Sequence, residues 1–347
     1  MAFTTIDDPE AFFQCKIYTG NGGSQSITFD GDTNLQPNFI WTKVRSETGS
    51  HRWVDTVKGI GKAIFSNGAD QEASESNYAS FDSDGFSFSA AGNINENTRT
   101  YVSWAWKGET TSGLSGGNIT PSTYNYNATS GFGIYKYTGN GSTDQTIPHG
   151  LGSKPQLIFY KRLDSGTNWV AQSNLLGNRV QLVVNGTDAQ NTDSRLGASD
   201  SWDGTNFNVG TYGDLNNSGS SHIAYVWCDV QGYQKVGTYT GTADNDGVFI
   251  YTGFEPAFVM TKQYNGGNYW HIIDNKRNPR NVRTTNLKMG ANAADETPSG
   301  GENSMDFLSN GFKFRDSDHN NQNHNYLYIA IAHQPLVNSN GVPGNAV

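Results

Sequence analysis

The phrase Tyr-Thr-Gly-Asn-Gly at residues 18–22 recurs later in the chain, and this recurrence constrains the fold more than any other feature. It returns as YTGNG at 137–141 and, changed at its fourth position, as YTGTADNDG at 239–247. Glycine readily reaches the positive φ that tight turns require. We therefore interpret the phrase as a hairpin marker that counts three copies of one unit, rather than as a ligand-binding loop.

Four further landmarks follow each occurrence in the same order: a proline that opens a buried strand, a Trp-containing strand, a turn before Phe, and an apolar closing strand. The prolines are Pro37, Pro155 and Pro256. The copies repeat at roughly 100–120 residues, which is too long for a solenoid repeat and close to the size of one small sandwich. The predicted boundaries are a first repeat at 1–108, a Gly/Ser/Thr/Asn-rich linker at 109–130, a second repeat at 131–231, a third at 232–336 and a tail at 337–347.

The composition predicts an all-β chain. Apolar residues make up 35% and charged residues 16% of the 347 residues, while glycine alone contributes 41. Helices need more Ala, Leu, Glu and Lys than this leaves room for, and the 12% of aromatic residues suit strands. Disordered chains lack such aromatic content and regular apolar runs. The expected fold class is therefore all-β, with three tandem β-sandwich domains; jelly-roll, concanavalin-like and immunoglobulin-like topologies stay open.

The closing strand supports a layered arrangement. Val102, Trp104 and Trp106 share one face, and the smaller Ser103 and Ala105 share the other, because strand side chains alternate. The large face is expected to fill a core. The small face is expected to let a second layer or a neighbouring chain approach closely.

Charge, cysteines and the amino terminus exclude several classes of protein. A net charge of −9 and a pI near 5.2 disfavour a nucleic-acid partner, which needs a basic face. Cys15 and Cys228 lie in different repeats, so the fold is not expected to depend on disulfides. The start, MAFTTIDDPEAFF, has no basic region followed by an apolar stretch and predicts no secretory signal. No apolar run is long enough to cross a bilayer, so we expect synthesis in a cytoplasm and no membrane insertion.

Three tryptophans are the only candidate ligand-binding residues. Trp53, Trp169 and Trp270 are interpreted as equivalent positions, either as core anchors, which we favour, or as a sugar-stacking platform presented three times. Asp55 with Lys58 and Asp274 with Arg277 follow two of them and are interpreted as surface or partly buried ion pairs.

The sequence predicts no enzyme, cofactor or metal site. Asp-rich turns occur at residues 30–32, 82–85, 244–247 and 316–318, but they lack the spaced calcium loop with its distal Glu, and Asp before Gly is ordinary turn chemistry. The histidines have no zinc-ligand spacing, and no nucleophile motif stands in a strand-to-helix setting.

The landmarks as a set resemble an uncharacterised triplicated repeat family in virion structural and tail-fibre-type proteins of marine tailed phages. The residues that carry the likeness are MAFTTIDDPEAFFQCKIYTGNGG at the start, Pro37-Asn-Phe-Ile-Trp, YNYNATSGFGIYKYTGNGS, PHGLG at 148–152, DVQGYQKVGTYTG at 229–241, YTGFEPAFVMTK at 251–262, DNKRN at 274–278, FLSNGFKFR at 307–315 and PLVNSNGVPGNA near the end. The likeness covers essentially the whole chain and implies a structural role without catalytic residues.

This resemblance implies a phage virion protein, made in the host cytoplasm and most readily a tail-fibre or receptor-binding component that attaches to the host multivalently. Expected partners are other virion proteins, a host surface glycan or protein receptor, and further copies of the chain, with a trimer as one candidate state. The alternatives are a capsid decoration protein or, in a different class, a carbohydrate-active enzyme or lectin. The lectin would need an exposed aromatic platform, and the enzyme a carboxylate pair in one cleft.

Overall fold

The computed structural model describes residues 3–296 and 304–344, and it is nearly all β, as predicted. Its sheets are antiparallel throughout, and helix is confined to the single turn α1 (Gly213–Asn216) and the 3₁₀ turns Pro9–Ala11 and Ser199–Ser201. Within these described residues no helix has the length and apolar character needed to cross a membrane.

The strands fall into three groups, which we call the first, second and third units. The first unit contains β1 (Phe13–Thr19), β2 (Gln25–Ile27), β3 (Phe39–Val44), β4 (Arg52–Asp55), β5 (Lys62–Phe65), β6 (Ala73–Ser74), β7 (Tyr78–Asp82), β8 (Gly85–Phe88) and β9 (Thr100–Trp106). The second contains β10 (Thr123–Asn127), β11 (Phe132–Thr138), β12 (Gln145–Pro148), β13 (Pro155–Arg162), β14 (Val170–Ser173), β15 (Val180–Val183), β16 (Asn191–Thr192), β17 (Asn206–Val209) and β18 (Ser221–Cys228). The third contains β19 (Gln234–Thr240), β20 (Phe249–Tyr251), β21 (Phe254–Gln263), β22 (Trp270–Asp274), β23 (Leu287–Lys288), β24 (Met305–Leu308), β25 (Gly311–Phe314) and β26 (Asn325–Pro335).

Each unit has one large sheet with the same central order. The strands run β1-β9-β3-β4-β5-β6 in the first unit, β10-β11-β18-β13-β14-β15-β16 in the second and β19-β26-β21-β22-β23 in the third. The closing strand thus lies between the opening strand and the proline-led strand every time. The proline-led strands β3 and β21 are buried along their whole length, as predicted for strands apolar on both faces.

The second sheet has an extra edge strand drawn from the segment predicted as a linker. Strand β10 pairs with β11, from Thr123 opposite Lys136 to Asn127 opposite Phe132. Ile119 from the same segment is buried against the second unit. Much of residues 109–130 therefore belongs to the second unit. At the other end of the chain, the N–H of Ser339 in the predicted tail donates to Asp7 Oδ1 at 2.6 Å.

A smaller sheet covers the outer face of each large sheet. These small sheets are β2-β8-β7, β12-β17 and β20-β25-β24. In the first unit, Ala105 of the closing strand packs in one apolar cluster with Phe86 and Phe88 of β8. In the third unit, Tyr328 of the closing strand meets the ring of Phe312 with centroids 5.3 Å apart. The small-residue face therefore receives a second layer of the same chain, which leaves it unavailable for subunit contact.

The inner faces of the three large sheets meet in one apolar core. The cluster that contains Trp104 and Trp106 also contains residues of the second and third units. Ring contacts join every pair of units, with centroid distances of 4.9 Å for Trp53–Trp169, 5.2 Å for Phe159–Trp270 and 5.9 Å for Trp104–Phe258. The inner faces of all three large sheets therefore share this central core, while the first and second units each keep a further apolar cluster between their own two layers.

The recurring Tyr-Thr-Gly phrase joins the two layers of a unit and is not a hairpin turn. Strand β1 pairs with β9 in the large sheet, whereas β2 pairs with β8 in the small one. The hairpin interpretation is therefore wrong for this phrase. Hairpins form instead at Asp84-Gly85 and Asn310-Gly311, which connect β7 to β8 and β24 to β25.

A buried asparagine holds the loop after each Tyr-Thr-Gly. Its side-chain oxygen accepts the N–H of the second loop residue, in the pairs Asn21 to Asn95 (3.1 Å), Asn140 to Asn216 (2.8 Å) and Thr242 to Asn321 (3.1 Å). Its side-chain N–H donates to the carbonyl two residues further on, in the pairs Asn95 to Gly23 (2.6 Å), Asn216 to Ser142 (3.0 Å) and Asn321 to Asp244 (2.8 Å). These asparagines take the same place in all three units, and none of them is among the residues singled out from the sequence.

We expect Asn216→Ala to destabilise the protein by about 2–4 kcal/mol, since it leaves several buried backbone groups without partners. Besides the two bonds above, Asn216 Nδ2 donates to the Gly210 carbonyl at 2.8 Å. Ser218→Ala, at an exposed position of the neighbouring loop, is the matched control and should stay within about 0.5 kcal/mol. Urea unfolding measures both, and equal stabilities of the two variants would contradict the structural role.

The shared core also predicts how the chain unfolds. Because the inner face of each large sheet loses its partners when the other units unfold, we expect one cooperative thermal transition, with equal calorimetric and van't Hoff enthalpies. Differential scanning calorimetry on the whole chain measures both enthalpies. Two or three resolved transitions would mean that the units are independently stable.

Candidate functional site

All three candidate tryptophans lie in the shared core. Trp53, Trp169 and Trp270 are each 0% exposed, so none offers a ring face to a sugar. The stacking interpretation of these residues is wrong because the large-sheet faces that carry them point inward. They are core anchors, the interpretation favoured from the sequence.

The strand register also corrects their alignment. Strand β4 pairs with β3, β14 with β13 and β22 with β21. In this pairing the first-unit residue equivalent to Trp169 and Trp270 is His51, and Trp53 lies two residues further along the chain. Residues two apart on a strand face the same side. Trp53 therefore faces the same core as Trp169 and Trp270, but at a position two residues further along.

The side chains at this shared position connect the units in a closed ring. Trp169 Nε1 donates to the Phe65 carbonyl at 2.9 Å, Trp270 Nε1 donates to the Val183 carbonyl at 3.3 Å, and His51 Nε2 lies 3.1 Å from the Lys288 carbonyl. Trp41 Nε1 donates to His51 Nδ1 at 2.9 Å, so Nδ1 is the acceptor and Nε2 carries the proton. Each unit thus donates to the preceding one, and the first donates to the third.

The predicted ion pairs form, but they are fully buried and connect units rather than lying at the surface. Asp55 binds Lys58 in the first unit, and both side chains are 0% exposed. Tyr225 of the second unit donates to Asp55 Oδ2 at 2.6 Å. Lys58 Nζ also donates to the Tyr225 hydroxyl at 2.9 Å, which leaves this buried charge well supplied with partners.

The second pair repeats this arrangement between the third and first units. Arg277 Nε donates to Asp274 Oδ2 at 2.6 Å, and Trp104 Nε1 of the first unit donates to the same oxygen at 3.1 Å. Burial raises the pKa of Asp274, but Arg277 and the hydrogen bonds outweigh it and hold the pKa below its usual value. At the boundary between the second and third units, the positions equivalent to Asp55 and Tyr225 hold Ser173 and Ile329. Ile329 has no polar side-chain atom, so it cannot form the corresponding bond.

Three buried lysines occupy a further equivalent position, four residues after Phe39, Leu157 and Phe258. They are Lys43, Lys161 and Lys262, each 0% exposed. Lys161 Nζ donates to the carbonyls of Ala69 at 3.1 Å and Thr167 at 2.7 Å. Desolvation lowers the pKa of each lysine to about 8. Lys161 and Lys262 thus bind a backbone carbonyl of the preceding unit, whereas Lys43 binds the carbonyl of its neighbour Val44.

The Asp-rich turns are occupied by local contacts. Asp82 accepts bonds from Ser80 and Ser87, and Asp244 Oδ1 accepts the N–H of Asp246 at 2.9 Å. Asp30 forms ion pairs with Lys16 and Lys276. Within residues 3–296 and 304–344, no group of three or more His, Cys, Asp or Glu side chains is placed to hold a metal.

The centre of the core leaves no room for a ligand. Where the three sheets meet there is a cavity of about 10 Å³, lined by side chains of all three units, among them Trp41, Trp227 and Met260. That volume is at the lower limit for a single water molecule. A ligand larger than one water molecule therefore has no space in this shared core.

A surface pocket of about 280 Å³ lies at the end of β20 in the third unit. Phe3, Asp229, Gln231, Lys235 and Tyr251 are among the residues that line it. The Val236 N–H donates to Asp229 Oδ1 at 2.7 Å, and Lys235 Nζ donates to the Tyr251 carbonyl at 3.0 Å. A carboxylate and an ammonium group are thus fixed beside an aromatic ring.

Strand β20 presents two exposed aromatic rings next to this pocket. Phe249 is 42% and Tyr251 48% exposed, while Ile250 between them is buried. β20 pairs only with β25 and so forms an edge of its sheet. We call Phe249 and Tyr251 the aromatic platform. Nothing in the sequence separated these two residues from the buried aromatics, because their exposure depends on strand position.

Comparison with known proteins places the chain in a family without an assigned role. The model of the DUF7483 family, described as a domain of unknown function, matches residues 8–335. The chain belongs to the DUF7483 family. No curated protein and no solved structure matches it, so the family adds no ligand or partner to the geometry.

The buried lysines give a pH prediction. Below pH 8 a lysine of this kind is protonated in both folded and unfolded chains; between pH 8 and about 10.4 the folded form loses its proton first, which favours folding. From pH 7 to 9.5 we therefore expect the native protein to gain roughly 1–2 kcal/mol relative to Lys161→Met. Parallel urea titrations cancel the other titrating groups, and a difference that does not change with pH would contradict the lowered pKa.

Proposed function

We propose that the chain is a phage virion structural protein of the tail-fibre or receptor-binding type, and that it attaches the particle to its host. The observation that carries this proposal is the aromatic platform, which is exposed beside a polar pocket at a sheet edge of the third unit. Exposed aromatic rings with polar neighbours are typical of recognition surfaces. Capsid decoration is the second placement for the same protein.

The proposal includes the origin of the scaffold as three copies of one β-sandwich. The shared strand order, the three asparagine-held loops and the ring of bonds from His51, Trp169 and Trp270 support it. Three copies arranged around one core would give a rigid mount. Such a mount keeps a surface site in a fixed orientation, which lowers the entropy cost of binding.

Attachment in this proposal is multivalent through copies of the chain on the particle, including homo-oligomers such as trimers. The three units of one chain do not present three equal sites, because the platform occurs only in the third. Several copies on one particle would raise the effective concentration of each further contact. The protein would bind without catalysing a reaction, as expected for a fixed virion component.

The test is microscopy of purified phage particles that encode this protein, labelled with an antibody to it. We expect label at the tail tip or fibres. Label confined to the capsid would favour decoration, and particles without label would contradict a virion role. Incubating the protein with host envelope polysaccharide tests the absence of catalysis, since a fall in polymer size would indicate an enzyme.

A further inference from the structure

The aromatic platform is specific to the third unit. Strands β2, β12 and β20 pair with β8, β17 and β25, and this pairing makes Ile27, Ile147 and Ile250 equivalent. The positions on either side are then Ser26 and Thr28 in the first unit, Thr146 and the buried Pro148 in the second, and Phe249 and Tyr251 in the third. Two units fold with small residues at these positions, so the fold itself does not require the rings.

The two rings form the one closely spaced pair among the exposed large apolar residues of the described chain. The others are Ile17, Leu175, Val282 and Val342, each on a different element. Phe249 and Tyr251 are two residues apart on one strand, which places their Cα atoms about 6.8 Å apart on the same side. The platform therefore offers two adjacent apolar faces at an uncovered edge.

The pocket adds fixed polar groups at one end of the platform. Tyr251 is part of the pocket wall, and Lys235 Nζ lies 5.6 Å from the centroid of its ring. Asp229, held by the Val236 N–H, and Gln231 contribute oxygen acceptors, and Gln231 and Lys235 contribute N–H donors. Donors and acceptors thus line the pocket beside the Tyr251 ring.

Sugars match this combination because a pyranose ring has an apolar C–H face and a rim of hydroxyls that both donate and accept. We propose that the platform and its pocket bind a neutral glycan. The pocket volume of about 280 Å³ lies just below the range of drug-sized sites and suits one terminal sugar, with the next sugar lying over Phe249. Asp229 and Lys235 balance each other's charge in the pocket, and the net charge of −9 of the chain disfavours acidic glycans.

This proposal rests on the attachment role and names its ligand class. The test is binding of the full-length protein to an array of immobilised bacterial oligosaccharides, neutral and acidic. We expect binding to one or more neutral glycans. The double variant Phe249→Ser, Tyr251→Thr should weaken that binding at least tenfold, because it removes both stacking faces. It installs the residues that the first unit carries at these positions, so folding should be preserved.

Leu175→Ser is the matched control, since Leu175 is 44% exposed in the second unit, away from the platform. It should bind like the native protein. Glycan binding that survives the double variant, a preference for acidic glycans, or no binding to any glycan would each overturn the proposal. Thermal melting of all three proteins confirms that they are folded.

The outcome is separable from that of the proposed function. Particles carrying the double variant that no longer adsorb to cells, together with an array that shows no glycan binding, would retain attachment and reject the glycan. Array binding that depends on the platform, together with particles without antibody label, would retain the glycan and reject the virion role.

Discussion

The packing of three large sheets against one another in a single apolar core determines the rest of this structure. Each sheet turns large aromatic side chains inward, and those of one unit are covered by the other two, as Trp53–Trp169 and Phe159–Trp270 illustrate. Burial of aromatic area dominates core energetics. The inner face of each large sheet is buried against the other two units in this way. Its outer face is covered by the small sheet of its own unit.

The polar groups at the unit boundaries follow from that packing. A charged or N–H group carried into the core must find a partner there, since an unpaired buried polar group is costly. Trp169, Trp270 and the lysines Lys161 and Lys262 find backbone carbonyls of the preceding unit, and Asp55 and Asp274 find ring donors of another. Hydrogen bonds are directional, whereas apolar packing alone does not select one partner. These bonds therefore specify which unit contacts which.

Sequence reasoning reached the local parts of this arrangement. The prolines mark the buried strands β3, β13 and β21. The turn before Phe is a hairpin at Asp84-Gly85 and at Asn310-Gly311, but not in the second unit, where β17 pairs only with β12. Features that depend on pairing between strands far apart in the sequence were not predicted correctly. The Tyr-Thr-Gly phrase predicts a hairpin because β1 and β2 are neighbours in sequence, although they belong to different sheets. Trp53 aligns with Trp169 by residue type alone, because the sequence does not contain the strand register.

The sequence by itself determined the all-β class, the threefold recurrence of landmarks and the separation of large and small strand faces, since alternation and turn chemistry are local properties. Only the tertiary structure decided that the units share one core, that the asparagines Asn95, Asn216 and Asn321 hold the loops, and that Trp53 is buried while Phe249 and Tyr251 are exposed. Exposure depends on which strand forms an edge and which face another layer covers. Those are relations between segments far apart in the chain, and no single segment contains them.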